Sequence, residues 1–415
     1  MRNITSFIGK KLNIDAQYFI GNSFLLFSRY AFLIAIALIM NMVFSRYVSK
    51  EVYGNYQLVC SFMATMVFFS LPGFNKAIWS DASQGQDGSL NVATNKKIKW
   101  SFLGSLVLGV IAVKYYISQD YILALAVVAA AVCFPLFSGA DIWSIFLDSK
   151  KKYKLSTILL FAANILNKIS ILAAIIFFNE SLIFLVIFNA ASIGITNYIG
   201  LKMAEREKTN ELVSKDFSQY GFFITKTVIV KSLLDKIDSI IIGIFMGPAY
   251  LAIYAFALVI PDQLAVLITT VTDVIIPKLG ENNQHSIQLK IKEKAWFLIA
   301  VNIILITIVI LLTPLAIKIL FTENYAESIL YSQIITGSLF VYVFEVIYSR
   351  ILVVKKRKAE IFKTNVAMSI FRGIAIVISF IWFGLLGVAI SSIIARLFNL
   401  VMYLYYGNTA SKSGD

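Results

Sequence analysis

The sequence predicts an all-α membrane protein of about 12 transmembrane helices with both termini cytoplasmic. Three observations predict it. Of 415 residues, 59% are hydrophobic and only 14% charged, whereas soluble domains average roughly 45–50% apolar and about 25% charged. Apolar runs long enough to cross hydrocarbon, about 20 residues at 1.5 Å each, recur along the whole length. Lys and Arg collect in alternate loops. No single water-soluble core buries that much apolar surface, so soluble enzymes and nucleic-acid-binding modules are excluded.

The spans are expected at 18–43, 54–72, 100–117, 121–147, 155–178, 181–201, 218–246, 250–277, 295–320, 326–353, 361–383 and 385–406. The first carries Arg29 and the fifth Lys168. The seventh holds Lys226, Lys231, Asp235, Lys236 and Asp238, and the last two are separated only by Gly384 and its neighbours. Twelve crossings from a cytoplasmic N-terminus leave Arg46, Lys50, Lys114 and Lys318 as the outer basic residues. The inner segments take the clusters at Lys96–Lys99, Lys150–Lys154, Lys290–Lys294 and Lys355–Lys358. Positive charge retained in inner loops produces this alternation, and it accounts for the net charge of +14 without a polyanionic partner. The Lys150–Lys154 and Lys355–Lys358 clusters read as topological anchors beside anionic lipid heads.

Function classes narrow further. Cys60 and Cys133 fall in apolar runs, and His285, the one histidine, lies in a polar loop. A structural zinc site and a His-based triad are therefore not expected, and neither is a cofactor. The N-terminal Met1–Lys11 stretch is polar and does not read as a signal peptide. The outer loops are short, the longest near Ser45–Tyr53. The inner loops at 73–99, 202–217 and 279–294 are too small for a nucleotide-binding domain, and no G-x-x-x-x-G-K-[ST] segment occurs. A transporter or flippase fits better than an enzyme.

Transporter folds are often internal repeats. Val52-Tyr53-Gly54-Asn55-Tyr56, at the start of the second span, aligns with Tyr250-Leu251-Ala252-Ile253-Tyr254 at the start of the eighth. Each follows a long span with embedded charge. Parallel six-helix repeats result, with lobes expected at 1–205 and 206–415.

At these residues the chain resembles a known family. Asp238-Ser-Ile-Ile-Ile-Gly243-Ile-Phe-Met-Gly247-Pro248, followed by Ile253-Tyr254, is similar to a stretch of the polysaccharide flippases in the multidrug/oligosaccharidyl-lipid/polysaccharide exporter superfamily. Tyr53-Gly54-x-Tyr56, Leu71-Pro72-Gly73 and Gly85-x-Asp87-Gly88-Ser89 add to the likeness with O-antigen and capsule repeat-unit flippases. Ala252 departs from it, since the family usually has Gly after Leu. The resemblance implies a V-shaped, two-lobed bundle in the bacterial inner membrane that alternates between inward and outward openings. It also implies the substrate, an undecaprenyl-pyrophosphate-linked oligosaccharide, with a polysaccharide polymerase and chain-length regulator as possible partners and no nucleic acid.

Ionisable groups at membrane depth are functional candidates by default. Arg29, Lys168, Lys226, Lys231, Arg372 and Arg396 are the candidates to line a cationic cavity, which would replace the lost hydration of a pyrophosphate with charge-assisted hydrogen bonds. Asp235, Asp238, Asp262 and Glu345 are candidates for ion pairing or for coupling to H⁺ or Na⁺. Lys231, Asp235 and Asp238 fall at i, i+4 and i+7 and so share one face of the seventh helix, and Lys231 and Asp235 are spaced as an intrahelical pair. Arg29 and Lys226 fall at near-equivalent points of the repeats. Asp141 and Asp273, near span ends, read as loop-facing. Two rivals remain: a multidrug cation antiporter of the same superfamily, which requires an acidic apolar cavity, and a membrane glycan polymerase or ligase, which requires a large external loop.

Overall fold

The computed structural model describes the backbone over 16–280, 284–354 and 358–409, and side chains over 28–29, 31–270, 300, 302–349, 360 and 362–406. His285, Asp273, the Met1–Lys11 stretch and the Lys355–Lys358 cluster lie outside the described side chains. Among the described residues there is helix and no strand.

Each expected span corresponds to a helix. In chain order these are α1 (Ala16–Tyr47), α2 (Lys50–Met66), α3 (Gly73–Ser83), α4 (Ser89–Ile117), α5 (Tyr121–Gly139), α6 (Trp143–Ser149), α7 (Tyr153–Phe177), α8 (Leu182–Arg206), α9 (Phe217–Leu234), α10 (Ile237–Phe245), α11 (Pro248–Gly280), α12 (Gln284–Phe321), α13 (Ser328–Gly337), α14 (Leu339–Val354) and α15 (Lys358–Thr409). Among the described residues eight helices are long and apolar enough to cross a membrane, or nine if one bent pair is a single span. The longest of these, Phe362–Tyr406, supplies two crossings. Gly384 leaves helical geometry at φ 56°, ψ −133°, a region that suits glycine. Phe371 and Phe398, on either side of it, stack with centroids 3.9 Å apart, so α15 doubles back on itself.

Four boundaries differ from expectation, one of them a break at Ser338 that divides the tenth span into α13 and α14. The 73–99 segment is not a loop: Pro72 and Gly73 start α3, and α4 begins at Ser89. The fourth span breaks at 140–142 into α5 and α6. The seventh breaks at Asp235–Lys236 into α9 and α10.

The chain forms two compact units, one of residues 1–40 and 66–226, the other of 41–65 and 227–415. The first unit packs a buried cluster around α3. Phe74, Ile78, Leu90, Trp143, Phe146 and Phe217 are all almost fully excluded from solvent. Phe74 meets Phe217 and Phe222 edge-on at 5.6 and 5.3 Å, the geometry that aromatic quadrupoles favour. Asp120 caps α5 by accepting from the Leu123 amide at 3.1 Å. Where α5 ends, Asn197 of α8 donates to the freed Phe137 carbonyl at 2.9 Å and accepts from the Trp143 indole at 3.1 Å. Polar side chains also join α7 to α8: Asn167 donates to Asn189 at 3.0 Å and to Ser192 at 2.8 Å, as helices in lipid use hydrogen bonds for association.

The segment after α8 is held inside this unit by two carboxylates. Asp87, fully buried, accepts from Lys150 at 2.6 Å, from the Thr209 amide at 2.7 Å and from the Thr209 hydroxyl at 2.8 Å. Asp81 accepts from the Ser214 hydroxyl at 2.6 Å. Lys150 thus pairs with an acid of the Gly85-x-Asp87-Gly88-Ser89 motif. Lys97, expected among the exposed loop lysines, is instead fully buried, paired with Asp141 and donating to Asn75, each at 2.7 Å.

The second unit is built on aromatic packing between α2 and α11. Tyr53 and Phe256 stack at 4.8 Å, and Phe256 lies 4.2 Å from Tyr325. The two motif segments meet here. A Cβ at Gly54 would overlap the Pro248 carbonyl, so only glycine lets α2 approach the start of α11 this closely.

Candidate functional site

The break between α9 and α10 sets the site. Lys236 sits outside helical geometry at φ −118°, ψ 16°, and α10 restarts at Ile237 with Asp238 in its first turn. A carboxylate there faces unsatisfied helix amides and the positive end of the helix dipole. Asp238 accepts from the Ser239 amide at 2.8 Å and, through its other oxygen, from the Tyr254 hydroxyl at 2.8 Å. Both Asp238 and Tyr254 are buried.

The hairpin in α15 supplies the cations. Arg372 and Arg396 are equidistant in sequence from Gly384, so each lies roughly 18 Å along its leg from the turn at 1.5 Å per residue. They therefore reach similar depth on adjacent legs. Arg372 approaches Asp238 at 3.5 Å with one nitrogen and Asp235 at 3.8 Å with another. The expected Lys231–Asp235 pair does not form. With the helix broken after Leu234, the i, i+4, i+7 spacing no longer defines one face, and Asp235 turns to Arg372 instead.

Arg396 is held by α14. Its guanidinium carbon lies 4.2 Å from the centroid of Tyr342, within cation–π range. Three residues along each helix, Glu345 accepts from Asn399 at 2.9 Å. Two i, i+3 pairs, Tyr342 with Glu345 and Arg396 with Asn399, thus mesh across the two helices. The second Glu345 oxygen and the Asn399 carbonyl oxygen are buried with no hydrogen-bond partner among the described residues.

Asp235, Arg372, Arg396, Tyr342, Glu345 and Asn399 line an open cavity of about 440 Å³ within the second unit. Three basic side chains, Lys231, Arg372 and Arg396, and three acidic ones, Asp235, Asp262 and Glu345, line it together. Asn365, Ser369 and Tyr403 add neutral donors and acceptors. The size falls within the roughly 300–1,000 Å³ typical of ligand sites. The arrangement offers an anion the cationic donors of Lys231 and Arg396 beside the acid-paired Arg372, and offers hydroxyl or amine donors the second Glu345 oxygen and the Asn399 carbonyl oxygen.

The remaining candidates lie in the first unit. Arg29 pairs with Asp148 at 3.3 Å, so its charge is partly matched. Lys168 is half-buried on α7 and Lys226 exposed on α9. Asp148, Lys97 and Asn399 escape a sequence reading. Asn399 alone had a signal, its three-residue spacing from Arg396.

Residues 43–330 match a family model described as a polysaccharide biosynthesis protein. No curated protein matches the sequence. The fold is that of several solved transporters. The chain is 14% identical to lipid II flippase MurJ in an inward closed conformation, with TM-score 0.67, covering 94% of this chain and 87% of that one. It is 13% identical to a multidrug resistance MATE family transporter of the MOP superfamily in an outward-facing conformation, with TM-score 0.61 and 96% of each chain covered. It is 12% identical to a MOP superfamily transporter from Pyrococcus furiosus, with TM-score 0.63, covering 95% of this chain and 96% of that one.

Proposed function

Because the chain belongs to the polysaccharide biosynthesis protein family, we propose that it is a flippase for an undecaprenyl-pyrophosphate-linked oligosaccharide repeat unit, of O-antigen or capsule type, in the bacterial inner membrane. The single observation that carries this reading is the cavity where Lys231, Arg372 and Arg396 converge at membrane depth in a chain of that family. Cations there substitute for the water that a pyrophosphate loses on entering a low-dielectric path. Several moderate contacts suit a carrier, which must release what it binds. The polyprenyl tail stays in lipid while the head group crosses.

In this reading the six-helix lobes 1–205 and 206–415 alternate access to the two membrane faces, with both termini cytoplasmic. Arg29, Lys168 and Lys226 extend the cationic path, and Asp235, Asp238, Asp262 and Glu345 set its coupling to H⁺ or Na⁺. A polymerase that consumes the flipped unit outside would draw transport forward, and a chain-length regulator would act with it.

Deletion of the gene tests the proposal. Lipid-linked single repeat units should accumulate on the cytoplasmic leaflet, and surface polysaccharide should be lost. Absence of that intermediate overturns the reading.

The three carboxylates in the same cavity favour one second reading, a multidrug cation antiporter. It is supported instead if the deletion strain becomes sensitive to cationic dyes while its surface polysaccharide stays intact.

A further inference from the structure

A second cavity, of about 350 Å³, lies in the same unit and shares one wall residue with the first: Asp262 lines both. Its lining is of a different character. Tyr53, Gln57 and Ser61 recur every four residues along α2 and so share a face, and Asn41 and Gln263 of α11 line the cavity with them. Lys236 is the one cation among the lining residues, facing Asp262 as the one acid.

The hydrogen bonding orients these neutral groups. Gln57 donates to the Tyr53 hydroxyl at 2.8 Å, and that hydroxyl donates to the Asn41 carbonyl oxygen at 3.4 Å. Among the described residues the Gln57 side-chain oxygen and the Asn41 side-chain nitrogen hold no hydrogen bond, which leaves one acceptor and one donor. The Gln263 amide has no hydrogen bond among the described residues. Amides offer acceptor and donor together, as a sugar hydroxyl requires. The aliphatic side chains of Leu251, Leu258 and Val259 provide an apolar wall against which the C–H face of a sugar ring packs.

We propose that this chamber is a glycan subsite: it takes the neutral, hydroxyl-rich sugars of the ligand whose anionic group occupies the charged chamber, with Asp262 at the seam. The inference rests on the flippase reading above and goes further, dividing recognition between two chambers by chemistry. The charged chamber recognises phosphate in any lipid-linked substrate. Gln57, Asn41 and Gln263 discriminate by sugar.

The test uses the full chain in lipid nanodiscs and two probes: undecaprenyl pyrophosphate, and the lipid-linked oligosaccharide extracted from cells lacking the gene. The wild-type protein should bind the oligosaccharide lipid about tenfold more tightly, a difference worth about 1.4 kcal/mol. Gln57→Leu combined with Gln263→Leu should bring the ratio near one and leave affinity for the bare pyrophosphate lipid unchanged. Gln263→Leu alone should lower the ratio with no change in melting temperature, since its amide holds no hydrogen bond that folding depends on. Lys231→Gln should weaken both probes equally. A double variant that keeps the ratio, a wild-type protein that binds both probes alike, or a single variant that leaves the ratio unmoved overturns the glycan subsite. A wild-type protein that binds neither probe overturns the flippase reading itself.

Discussion

The Tyr254 hydroxyl donates to Asp238 across 2.8 Å inside the second unit, so the first and last residues of the Asp238–Tyr254 motif form one buried pair. The pair fixes the carboxylate that Arg372 approaches at 3.5 Å. A buried charge of this kind persists only where donors and a counter-charge surround it.

Tyr254→Phe keeps the ring and removes the donor. Leaving a buried carboxylate short of one partner costs about 1–3 kcal/mol. Thermal unfolding of the purified protein should show a lowered midpoint, and the drop should shrink against an Asp238→Asn, Arg372→Gln background, where the acceptor is neutral and no buried charge is left short of a partner.

Arg372 spans two acids with two different nitrogens, a task that the single ammonium of lysine does not reproduce. Arg372→Gln should reduce surface polysaccharide by about tenfold or more, equivalent to at least about 1.4 kcal/mol. Arg372→Lys should fall between that variant and wild type. Immunoblotting of membranes keeps expression constant in the comparison. Equal polysaccharide in all three proteins would remove Arg372 from the site.

Gly384 sets the depth of both arginines. At φ 56°, ψ −133° a side chain is strained, at about 1–3 kcal/mol. Gly384→Val should lower the unfolding midpoint and impair transport together, because a shifted hairpin moves Arg372 and Arg396 along their legs. Gly109→Val, where a Cβ meets nothing within 4 Å, serves as the control. A Gly384→Val protein with wild-type stability contradicts the argument.

Asp87 gives a pH dependence outside the membrane-spanning helices. Burial pushes its carboxyl up, but Lys150 and the two Thr209 donors outweigh that and hold it below the ordinary range, which centres near about 3.9. The unfolded chain therefore takes up the proton first as pH falls. The stabilisation is complete above about pH 4–5 and is lost as pH drops through the lowered folded value. Asp87→Asn should flatten that acid limb of the stability curve. It should also speed proteolysis of residues 207–216 at neutral pH, since a single uncharged oxygen replaces the carboxylate that accepts from Lys150 and both Thr209 donors. An acid limb identical to wild type would show that Asp87 is not its source.

Much of the architecture is legible before any coordinate. Twelve helical segments follow from hydropathy because spanning requires only length and apolar character, and Gly384 between two apolar runs marks a turn. The Tyr53-Gly54 and Gly247-Pro248 motifs are visible as text, yet their meeting is not: Gly54 is a glycine because of the Pro248 carbonyl. The spacing of Lys231, Asp235 and Asp238 misleads, since a face defined by i, i+4 and i+7 exists only on an unbroken helix, and the chain breaks at Asp235–Lys236. Lys97 misleads for the same kind of reason. Read as loop, it is solvated; placed on α4 beside Asp141, it is buried.

Composition and the order of apolar runs settle, from the sequence alone, that this is a multi-pass helical membrane protein and which ionisable groups fall within its apolar runs. Hydrophobic transfer is a sum over each segment's own residues, so no partner is needed to compute it. The tertiary structure decides which of those charges meet. Contacts between Arg372 and Asp238, or between Asn399 and Glu345, depend on the rotation and register of helices far apart in the chain, and at 3.6 residues per turn a shift of one position swings a side chain by about 100°.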